Sequence, residues 1–193
     1  MDTDHQPPSP DLREASQRLR AFRLGQTGGR LFTQPTGHPS GPTGFCYCED
    51  SWARAAGFHA KAVFLALALK SPVNRFKLWA LRRLGARVAG QVYLSHGVWI
   101  DPLFPELLTI EDRVFFGMGA RVFTHEFRID EFRAGRVTIR TGAFIGAFAV
   151  IPCGIEIGAH AVVAAGAVAH RDVPPGHTLI PGLARVVRGG RQP

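Results

Sequence analysis

Large aliphatic residues recur every six positions over the C-terminal half of the chain, at Ile139, Ile145, Ile151, Ile157 and Val163. The hexads they open read IRTGAF, IGAFAV, IPCGIE, IGAHAV and VAAGAV. A period of six is neither the 3.6 of a helix nor the two of a half-buried strand, and a fixed short period is read first as a repeat architecture. The fifth column holds Ala143, Ala149, Ile155, Ala161 and Ala167, and the second is often small as well (Gly146, Gly158, Ala164). Stacked coils bring equivalent residues together at strand spacing, about 4.8 Å. The aliphatic column then fills a narrow core, and the small columns let the chain turn.

The same register appears upstream, at Val88, Leu94 and Ile100 and again at Ile110, Phe116 and Val122. These runs are offset from one another and from the long C-terminal run. The offsets, including 125 to 138, are read as loops leaving a coil. Helical patterns of ten residues are missing from 88 to 180, which disfavours alternating strand–helix units. On these columns, the segment from about 86 to 188 resembles the hexapeptide-repeat acyltransferases of the galactoside and maltose O-acetyltransferase kind. The resemblance implies an all-β repeat, a left-handed parallel β-helix.

Three segments are expected: a poorly ordered tail over 1–45, a basic helical cap over 46–85, and the β-helix with a C-terminal tail over 86–193. The tail is rich in Pro, Gly, Ser and Thr, although Asp11 to Leu24 could form a short helix. In the middle segment, Ala60 to Leu69 is an apolar run of helix formers. A second helix is expected from about Val73 to Leu84, with Gly85 as its C-terminal stop.

Charge changes the picture of that cap. The chain carries a net +8 and has a pI near 10.4. Residues 51–90 hold eight Lys/Arg and no acid, whereas the rest of the chain is nearly balanced. The plainer reading places these cations in water on helices that close one end of the coil. The other is a peripheral contact with an anionic membrane surface. The apolar run is too short to span a bilayer, which needs about twenty residues. No interleaving of bases with aromatics suggests nucleic acid.

The start lacks a basic region followed by an apolar stretch, so no signal peptide is expected. With three cysteines (Cys46, Cys48, Cys153) in no framework spacing, the expected setting is a reducing cytoplasm, at or away from the inner membrane surface. Cys46-Tyr-Cys48 is too sparse for structural zinc, and Cys153 is read as a space filler.

His125 is the strongest candidate for chemistry. It lies in Val122-Phe-Thr-His-Glu-Phe127, where the regular coil gives way. Acyl transfer from a thioester to a hydroxyl or amine needs a base of near-neutral pKa. The resemblance places the family's acceptor-deprotonating His at this point. Such a base needs a partner for its other ring nitrogen. Glu126, Asp101 and Asp130 are candidates, and Asp101 and Glu126 are also expected to wall the acceptor pocket. Asp101 precedes Pro102, so a simple Asx-type turn is an equal reading.

The resemblance further implies acetyl-CoA as acyl donor. Phe144-Ile-Gly-Ala147 is similar to the family segment that packs on pantetheine and offers a backbone N–H to the thioester carbonyl. Val163 to Pro175 is similar to the stretch whose small residues, here including Ala165, admit the CoA arm. His170 and Arg171 stand where the family usually has Thr-Lys. Ile180 to Arg188 resembles its closing segment, with Leu183 in place of a Pro. Arg171, Arg185 and Arg188 are therefore expected phosphate contacts. His96, His160 and His177 read as turn or corner residues. A γ-type carbonic anhydrase on the same fold would need three His converging on zinc, and the close pair is missing around His125, so no metal is expected. The family works as homotrimers with sites between neighbours. The expected function is O-acetylation of a sugar, glycan or similar hydroxyl compound. The alternatives are N-acetylation of an amino sugar or antibiotic amine, and a non-catalytic scaffold.

Overall fold

In a computed structural model, residues 10–35, 52–128 and 131–182 are described. Helix α1 (Pro10–Arg23) and strand β1 (Leu31–Pro35) come first, followed by α2 (Trp52–Ala68) and α3 (Asn74–Arg83). Then the chain coils. The first turn carries β2 (Arg87–Val88), β3 (Val92–Leu94) and β4 (Trp99–Ile100), and the second β5 (Leu108–Ile110), β6 (Val114–Phe116) and β7 (Arg121–Val122). A hairpin of β8 (His125–Phe127) and β9 (Glu131–Gly135) interrupts it. Coiling resumes with β10 (Val137–Ile139), β11 (Phe144–Ile145), β12 (Val150–Ile151), β13 (Glu156–Ile157), β14 (Val162–Val163) and β15 (Thr178–Leu179).

The strands form three parallel sheets, one per face of a triangular prism. The first face is β2-β5-β10-β13, the second β3-β6-β11-β14-β15 and the third β4-β7-β12. Register puts the hexad aliphatics in ladders: Val88, Ile110, Ile139 and Ile157 on the first face; Leu94, Phe116, Ile145 and Val163 on the second; Ile100, Val122 and Ile151 on the third. Apart from half-buried Val88, these side chains are closed to solvent. Each fully buried one contributes roughly 1.5–3 kcal/mol.

The small columns exist because coils approach closely. A Cβ on Gly146 would lie 2.4 Å from the Ala165 nitrogen of the next coil. Corners between the second and third faces turn through left-handed backbone, at Gly97, Gly119 and Gly166, and at Phe148 with φ 57°. The Phe148 ring lies over Gly119, where a Cβ would meet it at 2.5 Å.

Helix α3 closes the open edge of the first coil. Asn74 accepts from Leu94 N at 3.0 Å and donates to Val92 O at 2.8 Å, so its amide stands in for a missing strand. Lys77 is not in water, as the plainer reading of the basic helices had it. Its Nζ is buried and donates to Leu94 O (2.6 Å) and Ser95 O (3.2 Å), and burial lowers its pKa. Gly85, at φ 107°, ends α3 as expected.

The expected poorly ordered tail is corrected over residues 10–35. Ala15, Leu19 and Phe22 of α1 and Phe32 of β1 form a second core with Phe104, Leu107, Phe132 and Ala134. Strand β1 pairs antiparallel with β9, so the hairpin becomes a three-stranded sheet ordered β1-β9-β8. The Pro- and Gly-rich composition concealed this because the partner is nearly a hundred residues away. The remainder of the tail lies outside the described residues, and so do Cys46 and Cys48 at the start of the cap segment.

Candidate active site

Two loops leave the prism at the corner between its third and first faces. One runs from Asp101 to Leu107 and ends in a 3-10 turn, Pro105–Leu107. The other carries β8 and β9. Asp101 follows Ile100 of β4, Phe123 follows Val122 of β7, and those strands are paired neighbours. Sheet pairing thus brings Asp101 to the root of the hairpin that bears His125.

Asp101 is fully buried and both its oxygens are engaged. Oδ1 accepts from Leu103 N at 3.0 Å. Oδ2 accepts from Thr124 N (3.1 Å), from Thr124 Oγ1 (2.8 Å) and from His125 Nδ1. The Asx turn and the His-orienting role therefore coexist, one oxygen for each. Burial pushes the Asp101 carboxyl up. The hydrogen bond and charge of His125, with donors from Leu103 and Thr124, outweigh it and hold the group below its ordinary value. An enclosed carboxylate cannot wall an acceptor pocket, so that expectation for Asp101 is corrected.

The His125 side chain is 13% exposed. With Nδ1–H given to Asp101, Nε2 has no hydrogen-bond partner among the described residues. Rings enclose the imidazole: Phe104 edge-on at 5.3 Å, Phe127 edge-on at 5.4 Å and Phe132 at 6.1 Å. Phe104 is backed by Arg23 of α1, whose guanidinium lies 4.7 Å from the ring centre and pairs with Glu106. An imidazole so held, with Nδ1 engaged by a carboxylate and Phe rings around it, can take up a proton at Nε2.

Glu126 does not join His125. It pairs with Arg128 (3.1 Å) and Arg133 (3.6 Å), as alternation along β8 dictates. Burial, then the Glu126 carboxylate, push the buried Cys153 thiol up to about 12, which makes it an inert filler. Asp130 lies outside the described residues.

The expected donor-binding residues separate into groups. Phe144 stands outward on the second face, stacked at 5.2 Å on Phe115, which stacks on Tyr93. Ala147 and Ala165 lie one above the other at the second–third corner. His170 and Arg171 are exposed where the chain passes from the third face to the first. Arg185 and Arg188 lie outside the described residues. On one prism, then, His125 and Ala147 leave at different corners, with the third face between them.

A groove of about 550 Å³ crosses that face, lined by His96, Trp99, Met118, Arg121, Phe123 and Phe148 with Gly97 and Gly119. Trp99 and Phe123 rings are 4.9 Å apart. None of these was singled out from the sequence as a site residue. The signal was present: Trp99 and Arg121 are outward neighbours of buried ladder positions, and Phe148 occupies a corner column otherwise filled by Gly.

A family profile described as "Hexapeptide repeat of succinyl-transferase" matches residues 136–169. A Bacillus subtilis protein named "Putative acetyltransferase YvoF" is 34% identical over 115 residues, 59% of this chain and 67% of that protein. The chain belongs to the hexapeptide-repeat acyltransferases. Among solved structures, a hexapeptide-repeat acetyltransferase from Vibrio cholerae superposes with TM-score 0.52 at 22% identity, over 71% of this chain and 93% of that one. Its complex with acetyl coenzyme A gives 0.50 at 20%, over 67% and 85%. A maltose O-acetyltransferase from Clostridium difficile 630 gives 0.50 at 19%, over 66% and 84%. At these identities the likeness is one of fold, and the coil is the left-handed parallel β-helix that the repeat resembled.

Proposed function

We propose that the chain transfers an acetyl group from acetyl-CoA to a hydroxyl of a sugar, glycan or similar small acceptor. The observation that carries this is the His125–Asp101 pair, a solvent-reaching imidazole on a fully buried carboxylate. Asp101 fixes the Nδ1–H tautomer and steadies the imidazolium that forms. His125 Nε2 takes the acceptor's hydroxyl proton as its oxygen attacks the thioester carbon. The carbonyl oxygen gains negative charge, and this reading assigns the Ala147 amide of a neighbouring copy to stabilise it. When the tetrahedral adduct collapses, the C–S bond breaks, the acetyl ester is released, and the thiolate takes the proton from His125.

The separation of His125 and Ala147 on one prism supports a site shared between copies. A homotrimer, with Arg171, Arg185 and Arg188 on the nucleotide end of the donor and His170 beside them, is the assembly this reading requires. Two proteins of like fold are described, one in complex with acetyl coenzyme A and one as a maltose O-acetyltransferase, and this reading takes its donor and acceptor class from that pattern.

The test is loss of thioester absorbance with acetyl-CoA against a panel of sugars, amino sugars and amines. His125→Ala should lower turnover by roughly 10²–10⁴-fold, the usual worth of a positioned base, with circular dichroism unchanged. Turnover unchanged in His125→Ala would remove the proposal. Turnover only with amines would replace O-acylation by N-acylation. Absence of CoA binding in calorimetry would favour a scaffold.

A further inference from the structure

An aromatic cluster stands outward on the two helices that close the coil. Phe64 of α2 meets Phe76 and Trp79 of α3 with ring centres 6.4 and 6.2 Å apart, and Phe76 stacks on Trp79 at 5.7 Å. All three are exposed, Trp79 by half, and so are Val63 (59%), Leu67 (61%) and Val73 (55%). Scattered apolar residues on a surface need no explanation, but six on adjoining turns make a patch. The inward sides of the same helices are spoken for. Leu65, Ala68 and Leu69 of the first helical stretch and Leu78, Ala80 and Leu81 of the second join the coil's core. The outward patch joins the two helices to each other but takes no part in the coil's core.

Its rim is uniformly cationic. Lys61 is one turn before Phe64, Arg75 one turn before Trp79, and Arg82 and Arg83 one turn after it; Lys70 lies in the connection between the helices. All five are exposed, and none is in an ion pair among the described residues. No Asp or Glu occurs between positions 51 and 90. Glu106, which lies against Gly85 at the end of α3, is already paired with Arg23.

We propose that this face is a docking surface for an anionic lipid bilayer. Aromatic and aliphatic side chains with a Lys/Arg rim suit the interface between headgroups and acyl chains, where Trp is at home. The helices would lie on the surface, since no helix among the described residues is long and apolar enough to cross a membrane. Charge decides against two copies meeting through this same face, because two such faces would set their cations against each other. Docking here is independent of the acyl-transfer reading and uses none of the side chains that touch His125.

The test is co-sedimentation of the full chain with vesicles of phosphatidylcholine alone, or mixed with phosphatidylglycerol, at low and high salt. Trp79 fluorescence is followed with lipids brominated near the headgroup. Binding should need the anionic lipid and weaken at high salt. Arg75→Gln with Arg83→Gln, both exposed positions, should each weaken it by roughly fivefold, the worth of one cation near an anionic surface. Bromolipid quenching should fall in Trp79→Phe while binding persists, which separates a docked patch from a misfolded variant. The proposal is overturned by equal binding to neutral vesicles, by quenching that is the same in Trp79→Phe, or by a changed oligomeric state in the Arg75→Gln/Arg83→Gln variant. That last result would make the face a contact between copies.

Discussion

Asp101 and His125 are 24 positions apart, yet one carboxylate oxygen gathers His125 Nδ1 and both Thr124 donors. That concentration makes Asp101 a positioning residue whose charge also bears on stability. Its folded pKa lies below the usual carboxylate value, so the native state binds fewer protons there than the unfolded chain. The stabilisation is complete above the unfolded pKa, about 3.9, and is lost as pH falls through the folded one. Asp101→Asn should therefore lower the Tm most at neutral pH, with the difference from wild type shrinking below about pH 4. Thermal melts of both proteins between pH 3 and 7 measure this. A gap constant across that range would mean that Asp101 acts through shape alone.

At the scale of elements, the hairpin that carries His125 is held from outside the coil. Strand β1 pairs with β9 along five residues, from Leu31↔Gly135 to Pro35↔Glu131. Beneath it, α1 inserts Leu19 and Phe22 beside Phe104 and Phe132, the rings against which the imidazole rests. The α1–β1 unit should thus govern the hairpin more than the prism. Leu19→Ala removes a buried side chain, a change that costs about 2–5 kcal/mol in a well-packed core. Hydrogen exchange should show faster opening of the β8–β9 amides, whereas those of β11 and β14 keep their protection. Equal loosening of both would show that the N-terminal unit and the coil open as one.

The whole molecule presents its candidate groups on different sides of one prism. A site shared between copies has a consequence in mixtures. Under the proposed mechanism, His125→Ala would lack the base, and Ala165→Trp would block the small-residue column proposed to admit the donor arm. Each should be inactive alone. Co-expressed, they should recover activity, with roughly a quarter of the sites intact under random assembly in a cyclic oligomer. The assay is thioester consumption by the co-purified mixture. No recovery, with mixed oligomers demonstrated by differential tagging, would place the base and the donor column of each site on a single chain.

The repeat itself was legible because a period of six, with aliphatic and small columns, has one economical solution: coils stacked at strand spacing, each ladder burying the next. The family followed from the same columns. His125 drew notice because it falls where that period breaks, and only the resemblance to the family made it a candidate base. What stayed hidden depends on neighbours far apart in the chain. Asp101 was one of three candidate partners until the pairing of β4 with β7 set it beneath the imidazole. Lys77 read as a solvated cation until the open edge of β3 supplied carbonyls for it. Beyond a possible helix over Asp11 to Leu24, residues 10–35 read as a loose tail until a hairpin a hundred residues away offered an edge to complete. Local pattern determines which residues face inward on each coil; only the closed prism decides which loops meet, because strand pairing between coils joins positions the sequence keeps apart.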